Sequence, residues 1–157
     1  MFIEPTNMNF NLRPAAPADA RAVESCVHKA FGHYVERIGM KPGPMRMDFE
    51  REIREHQVYV VEDGGETIGS LVLCITDEGF LLDVIAVDPR WWGKGVGRFL
   101  LQFSEAEAGR QGYDSIYLFT HEKMTENQTL YKKIGYVEYD RRLEMGLARI
   151  YMRKPFE

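Results

Sequence analysis

The stretch DPRWWGKGVGRFLL, residues 88–101, holds the most chemically specific spacing in the chain. Gly93, Gly95 and Gly97 alternate with Lys94 and Val96, between an apolar, strand-like run and a helix-like one. A strand that turns through glycines into a helix gathers several backbone N–H groups at the positive end of the helix dipole, which makes an anion site. Glycines let that backbone approach phosphate oxygens with no Cβ between. Lys94 and Arg98 can add charge. Two familiar phosphate loops do not fit. The Walker loop needs GxxxxGK[ST], and no Ser or Thr follows Lys94; the dinucleotide fingerprint needs GxGxxG, and here the third glycine comes one place early.

Other reactive side chains are sparse. Cys26 and Cys74 lie in unrelated segments, with no CxxC and no His at metal-ligand spacing, so no metal is expected and free buried thiols in a reducing cytoplasm are. No Ser-His-Asp pattern suggests covalent catalysis. Asp83 is the single carboxylate in the apolar run Phe80–Val87, and His121 and Glu122 close a later apolar run.

These groups need a scaffold, and the chain has the length for one. Its 157 residues suffice for a single core and are short for two. Residues 1–9 read as a loose leader and residues 10–157 as one domain. A net charge of −4 argues against a nucleic-acid partner held by bulk electrostatics. The absence of a long apolar run argues against a membrane span, and the absence of a secretory signal points to the cytoplasm.

Periodicity supplies the elements. Phe10–Ala15 reads as a short strand, followed by a helix over residues 16–31 with Ala22, Val23, Cys26, Val27 and Ala30 at helical spacing. Gly32–Pro44 carries three Gly and two Pro and reads as turns. Residues 45–56 read as a second helix. Strands follow over 57–63, 66–76 and 80–87, the first two joined by Gly64-Gly65. The near-continuous apolar run of the third suggests burial on both faces. After the glycines comes a helix with Phe99, Leu100, Phe103 and Ala106 on one side, then a strand over 115–120, a short helix over 125–136, and two closing strands. The order βααβββαβαββ implies one α+β domain with a right-handed strand–helix–strand crossover.

The loop and its flanks resemble the acyl-CoA loop of the GNAT superfamily of N-acetyltransferases: an apolar strand, Val87-x-Pro89, then GxGxG and a helix opening with apolar residues. A second segment, Asn127 to Tyr136, resembles a later family motif in which Asn127, Tyr131, Gly135 and Tyr136 fall at the expected spacing. The resemblance covers nearly the whole chain from about Phe10. One position departs from it: Trp92 stands where the family has Arg or Gln, with Arg90 two places earlier.

The resemblance implies a mixed, mostly antiparallel sheet of about seven strands flanked by about four helices, with one central parallel pair splayed to admit acyl-CoA. It implies acetyl-CoA as acyl donor, held by Ile85, Ala86 and Val87 on the strand, by Trp92, Gly93, Lys94, Gly95, Val96, Gly97 and Arg98 in the loop, and by Asn127 and Tyr131. It implies direct attack by an amine, with Tyr131 as the acid that protonates the leaving thiolate. The base stays open between Asp83, His121 with Glu122, and an ordered water; His121 is the expected catalytic partner of Tyr131. Tyr34, Glu36 and Asp83 are the expected acceptor contacts. The acceptor class is open among small amines, amino acids and peptide or protein amines, and so is the acyl group. A non-catalytic CoA sensor of the same fold is the alternative, and a homodimer is among the candidate assemblies.

Overall fold

The computed structural model describes residues 11–157; the expected leader and the first residue of the opening strand, Phe10, lie outside them. Seven strands form one sheet in the order β1-β2-β3-β4-β5-β7-β6. They are β1 (Asn11–Pro14), β2 (Gln57–Asp63), β3 (Glu66–Thr76), β4 (Gly79–Val87), β5 (Ser115–His121), β6 (Val137–Glu144) and β7 (Leu147–Pro155). All neighbours are antiparallel except β4 and β5, which run parallel. The mixed α+β architecture implied by the sequence is the one observed.

Among the described residues, five α-helices cover the sheet: α1 (Ala20–Phe31), α2 (Tyr34–Ile38), α3 (Phe49–Glu55), α4 (Val96–Arg110) and α5 (Thr125–Lys133). The extra helix, α2, arises in the segment that reads as turns; one turn of helix fits between Gly32 and Gly39, whose φ of 89° closes it. The helix expected from residue 45 starts later, because Asp48 takes an extended backbone and its side chain accepts hydrogen bonds from the N–H groups of Glu50 and Arg51. Residues 43–46 form a 3₁₀ turn instead.

The sheet separates two apolar layers. On one face α4 and α5 pack over Leu71, Leu73, Leu82, Ile116, Leu118 and Met152. The buried stripe of α4 runs through Val96, Leu100, Ser104 and Ala108, at i+4 steps. Ala106, expected inside, is exposed, and the polar Ser104 and Glu107 occupy buried positions of α4 instead. On the other face α1 and α3 pack Val23, Cys26, Val27 and Phe49 over Val60, Val72, Val84 and Tyr117.

Two irregularities prepare the centre of the sheet. The register between β3 and β4 slips, since Val72 pairs with Val84 while Leu73 pairs with Leu82. Asp83 is therefore the extra residue of a β-bulge, which bends a strand and re-aims its side chains. The parallel ladder between β4 and β5 is a single pair, Leu81 with Tyr117, although both strands continue for several residues. They splay beyond it, as expected for a CoA-admitting pair.

Candidate acyl-transfer cleft

The splay opens into a cleft of about 1110 Å³ that runs from the α1–α2 connection, across the ends of β4 and β5, to the first turns of α4 and α5. At the α4 end, Gly93 and Gly95 have φ of 78° and 93°, the left-handed region that glycine adopts without strain. Their role in the described chain is conformational, because a Cβ at either would meet nothing within 4 Å. They turn the chain so that α4 begins at Val96 with Gly95 as a cap that offers no side-chain acceptor. No acidic residue stands in that first turn, and Phe99 is the first residue whose N–H returns to the turn, bonding Gly95 O at 3.0 Å. The N–H groups of Val96, Gly97 and Arg98 precede it, at the positive end of a fifteen-residue helix. Gly93, Gly95, Gly97 and Arg98 all line the cleft. These residues fit the pyrophosphate of an acyl-CoA.

Ile85 and Val87 also line the cleft, whereas Ala86 and Val96 point their side chains into the core and can contribute only backbone. Lys94 is outside the lining; its ammonium sits 5.5 Å over the Trp91 ring, and Trp91 packs against the core layer under α4. Arg90 does not supply the missing charge at the loop entrance, because it is paired with Asp88 and Glu66. Trp92 lines the cleft, and its indole N–H donates to Val87 O at 2.8 Å. That carbonyl lies at the splayed end of β4, and the indole supplies a donor there. The exposed Trp92 ring then meets His33 edge-on at 5.5 Å, tying β4 to the α1–α2 connection.

On the α5 side, Asn127 and Tyr131 line the cleft one helical turn apart. Tyr131 is 7% exposed, and its hydroxyl donates to no described residue. Burial pushes its phenol pKa well above the usual value, so the proton stays on the oxygen. His121, at the end of β5, accepts the N–H of Lys123 at Nδ1, 3.0 Å away. Burial lowers its pKa, which leaves a neutral ring whose proton is on Nε2. In that tautomer His121 presents a donor to the cleft and has no spare lone pair. The geometry does not suit the expected role of proton acceptor.

Asp83 lines the cleft from the bulge, on the α1/α3 face of the sheet. Burial raises its pKa, opposed by a hydrogen bond from Cys74 Sγ at 3.6 Å and by the charges of Arg149 and His56. Behind it, the donor atoms of Glu52, His56 and Cys74 come within 4.8 Å of one another; Glu52 and His56 stand at i, i+4 on α3 and its C-cap, and the sequence does not announce that β3 brings Cys74 beside them. Burial pushes both the Cys74 thiol and the Glu52 carboxyl up. Both hold their protons more tightly, where metal ligation needs them removed.

One end of the cleft is closed by α2. Tyr34 is buried and lines the cleft, packed with Phe31, Met124 and Leu147. Glu36 does not line it: two residues on from Tyr34 is about 200° around a helix, which puts Glu36 on the solvent face. Arg37 fastens α2 to α5 by bonding Glu126 at 2.6 and 3.0 Å and Lys123 O at 3.2 Å, and holds the Glu126 carboxyl down to about 2. Arg149, which no sequence motif marks, also reaches the cleft from β7.

A profile of the acetyltransferase (GNAT) domain matches residues 54–138. An uncharacterized N-acetyltransferase of Bacillus subtilis, YhfO, is 25% identical over 134 residues, spanning 82% of this chain and 90% of that protein. Among solved structures, a GCN5-related N-acetyltransferase from Rhodopseudomonas palustris superposes with a TM-score of 0.78 at 21% identity, over 93% of this chain and 95% of that one. A PaiA N-acetyltransferase from Thermoplasma acidophilum, solved in complex with coenzyme A, gives 0.76 at 16% identity over 95% and 100%. These structures share the fold, and the domain profile spans more than half of the sequence: the chain belongs to the GNAT acetyltransferase family.

Proposed function

We propose that the single domain of residues 10–157 is an N-acetyltransferase that moves an acetyl group from acetyl-CoA to a primary amine within one ternary complex. The observation that carries this reading is the splay of β4 from β5 between the uncapped first turn of α4 and the cleft-lining Tyr131. Acetyl-CoA supplies the activated thioester; the protein supplies placement and proton management.

The N–H groups of residues 96–98 and the Arg98 side chain hold the pyrophosphate. Asn127 and the splayed edge of β4 hold the pantetheine arm, with backbone contributions from Ile85, Ala86 and Val87. Asp83 receives the acceptor ammonium and takes its proton, a task suited to a carboxylate whose pKa burial has raised. His121, through Nε2–H, orients the acceptor. As the amine nitrogen bonds to the acetyl carbon and the carbon–sulfur bond breaks, Tyr131 passes its hydroxyl proton to the sulfur, and the second proton lost by the nitrogen restores the Tyr131 phenol. Its depth keeps that proton available at neutral pH.

A panel of amines offered with acetyl-CoA, read by thiol release, tests the proposal. Turnover is expected with at least one acceptor, and Tyr131→Phe should lower kcat by about 10²–10⁴ while leaving CoA affinity within a few-fold. Tight CoA binding without turnover on any amine would instead point to a sensor. Wild-type kcat in Tyr131→Phe, where chemistry limits the rate, would take Tyr131 out of the mechanism.

A further inference from the structure

Arg149 is a charged side chain that the proposed mechanism does not use. In the ladder between β5 and β7 it lies directly opposite His121, and its side chain is 12% exposed. Its guanidinium is fixed on three sides. Nη1 donates to Glu144 Oε1 at 3.1 Å, and that same oxygen accepts from Tyr151 Oη at 2.6 Å. The guanidinium carbon lies 4.3 Å over the Phe119 ring. On the third side is Gly43, where an added Cβ would fall 2.9 Å from Nη2, so the absence of a side chain leaves room for the guanidinium. Only Nη1 has an acceptor; Nη2 and Nε donate to no described residue. Neither nitrogen is sealed from solvent, so both are open to a ligand in the cleft. Arg149 lines the same cleft as Asp83, near enough for its charge to act on the Asp83 carboxyl.

A rigid planar fork with free donors matches a carboxylate better than any neutral group. It lies on the α1/α3 face of the sheet, as do Asp83 and His121, and away from the α4 turn assigned to the pyrophosphate. We propose that Arg149 is the specificity determinant of the acceptor subsite, and that the acceptor is a small amine that also carries a carboxylate: the amine meets Asp83 and the carboxylate meets Arg149. This rests on the acetyltransferase reading, but it fails separately from it.

The test pairs each amino acid with its carboxamide, so that the amine is kept and the charge removed. The wild-type enzyme is expected to favour at least one free acid over its amide by about tenfold to hundredfold in kcat/KM, the range for a hydrogen bond to a charged group. Arg149→Met should erase that preference mainly through KM, and Arg149→Lys should restore part of it. Both variants should keep wild-type CoA affinity by calorimetry, which reports a folded cleft. Calorimetry with the amino acids on CoA-loaded protein gives the same comparison without turnover. Equal use of acids and amides by the wild type, or a preference that survives in a CoA-binding Arg149→Met, would overturn the carboxylate subsite while acetyl transfer stands. Failure of the wild type to bind CoA would overturn the acetyltransferase reading itself.

Discussion

Asp83 is under two opposed demands, and they make its substitution informative. In the proposed role of base it must lose its proton; as a buried carboxyl it resists losing it. Its pKa is raised in the folded protein, so the native state binds more protons than the unfolded state between the two values, and stability falls as pH rises through that window. Asp83→Asn keeps the shape and removes the charge. We expect kcat to drop by about 10²–10⁴ and the rising limb of the pH–rate profile, placed above the ordinary carboxylate range, to disappear. The variant should also melt at a higher temperature than the wild type at pH 8, and the gap should close as the pH is lowered toward the value of an unfolded aspartate. A variant that loses activity and also loses stability at pH 8 would show Asp83 to be a structural partner of Cys74 rather than a strained base.

At the scale of elements, the loop and the first turn of α4 were legible because their information is local: glycine spacing, a preceding apolar strand, a following helix. The same holds for Asn127 and Tyr131 on α5. What was not legible depends on partners distant in sequence. Glu36 was misplaced by helical phase, which a five-residue helix inside a Gly- and Pro-rich segment does not reveal. The partner of the Trp92 N–H is not legible either, because nothing in the sequence says that the splayed end of β4 leaves Val87 O within its reach. Arg149 was invisible because it depends on β7 inserting between β5 and β6, an order that two closing strands do not specify. The α4 turn yields a clean test. Gly93 and Gly95 have left-handed backbones, so substituting either strains the loop whatever it binds. Gly97 does not; a Cβ there would meet only Val87 Cγ2, at 3.8 Å, an ordinary contact. Gly97→Val should therefore fold with a melting temperature close to wild type, yet weaken CoA binding by tenfold or more by placing a side chain over the N–H groups that face the phosphate. Unchanged CoA affinity in this variant would move the pyrophosphate away from α4.

For the whole molecule, the sheet is two antiparallel halves, β1–β4 and β5–β7, with only Leu81 and Tyr117 paired across the seam. A ligand lodged in the seam touches both halves, so its binding energy adds to the cohesion of the fold rather than to one loop. Linkage sets the size: at a hundred times Kd, a ligand that binds only the folded chain stabilises it by about 2.7 kcal/mol. For a chain of this length that corresponds to a rise in melting temperature of roughly 5–10 °C. Location is the sharper readout. CoA should slow amide hydrogen exchange at residues 84–87 on β4 and 96–98 on α4, while the amides of β2 and β6, remote from the seam, change only as global stability does. An acceptor amine alone should give little of this if it occupies the proposed subsite between Asp83 and Arg149. If CoA raises the melting temperature but leaves residues 84–87 and 96–98 exchanging as before, it binds outside the splay, and the division of the cleft between α4 and α2 has to be redrawn.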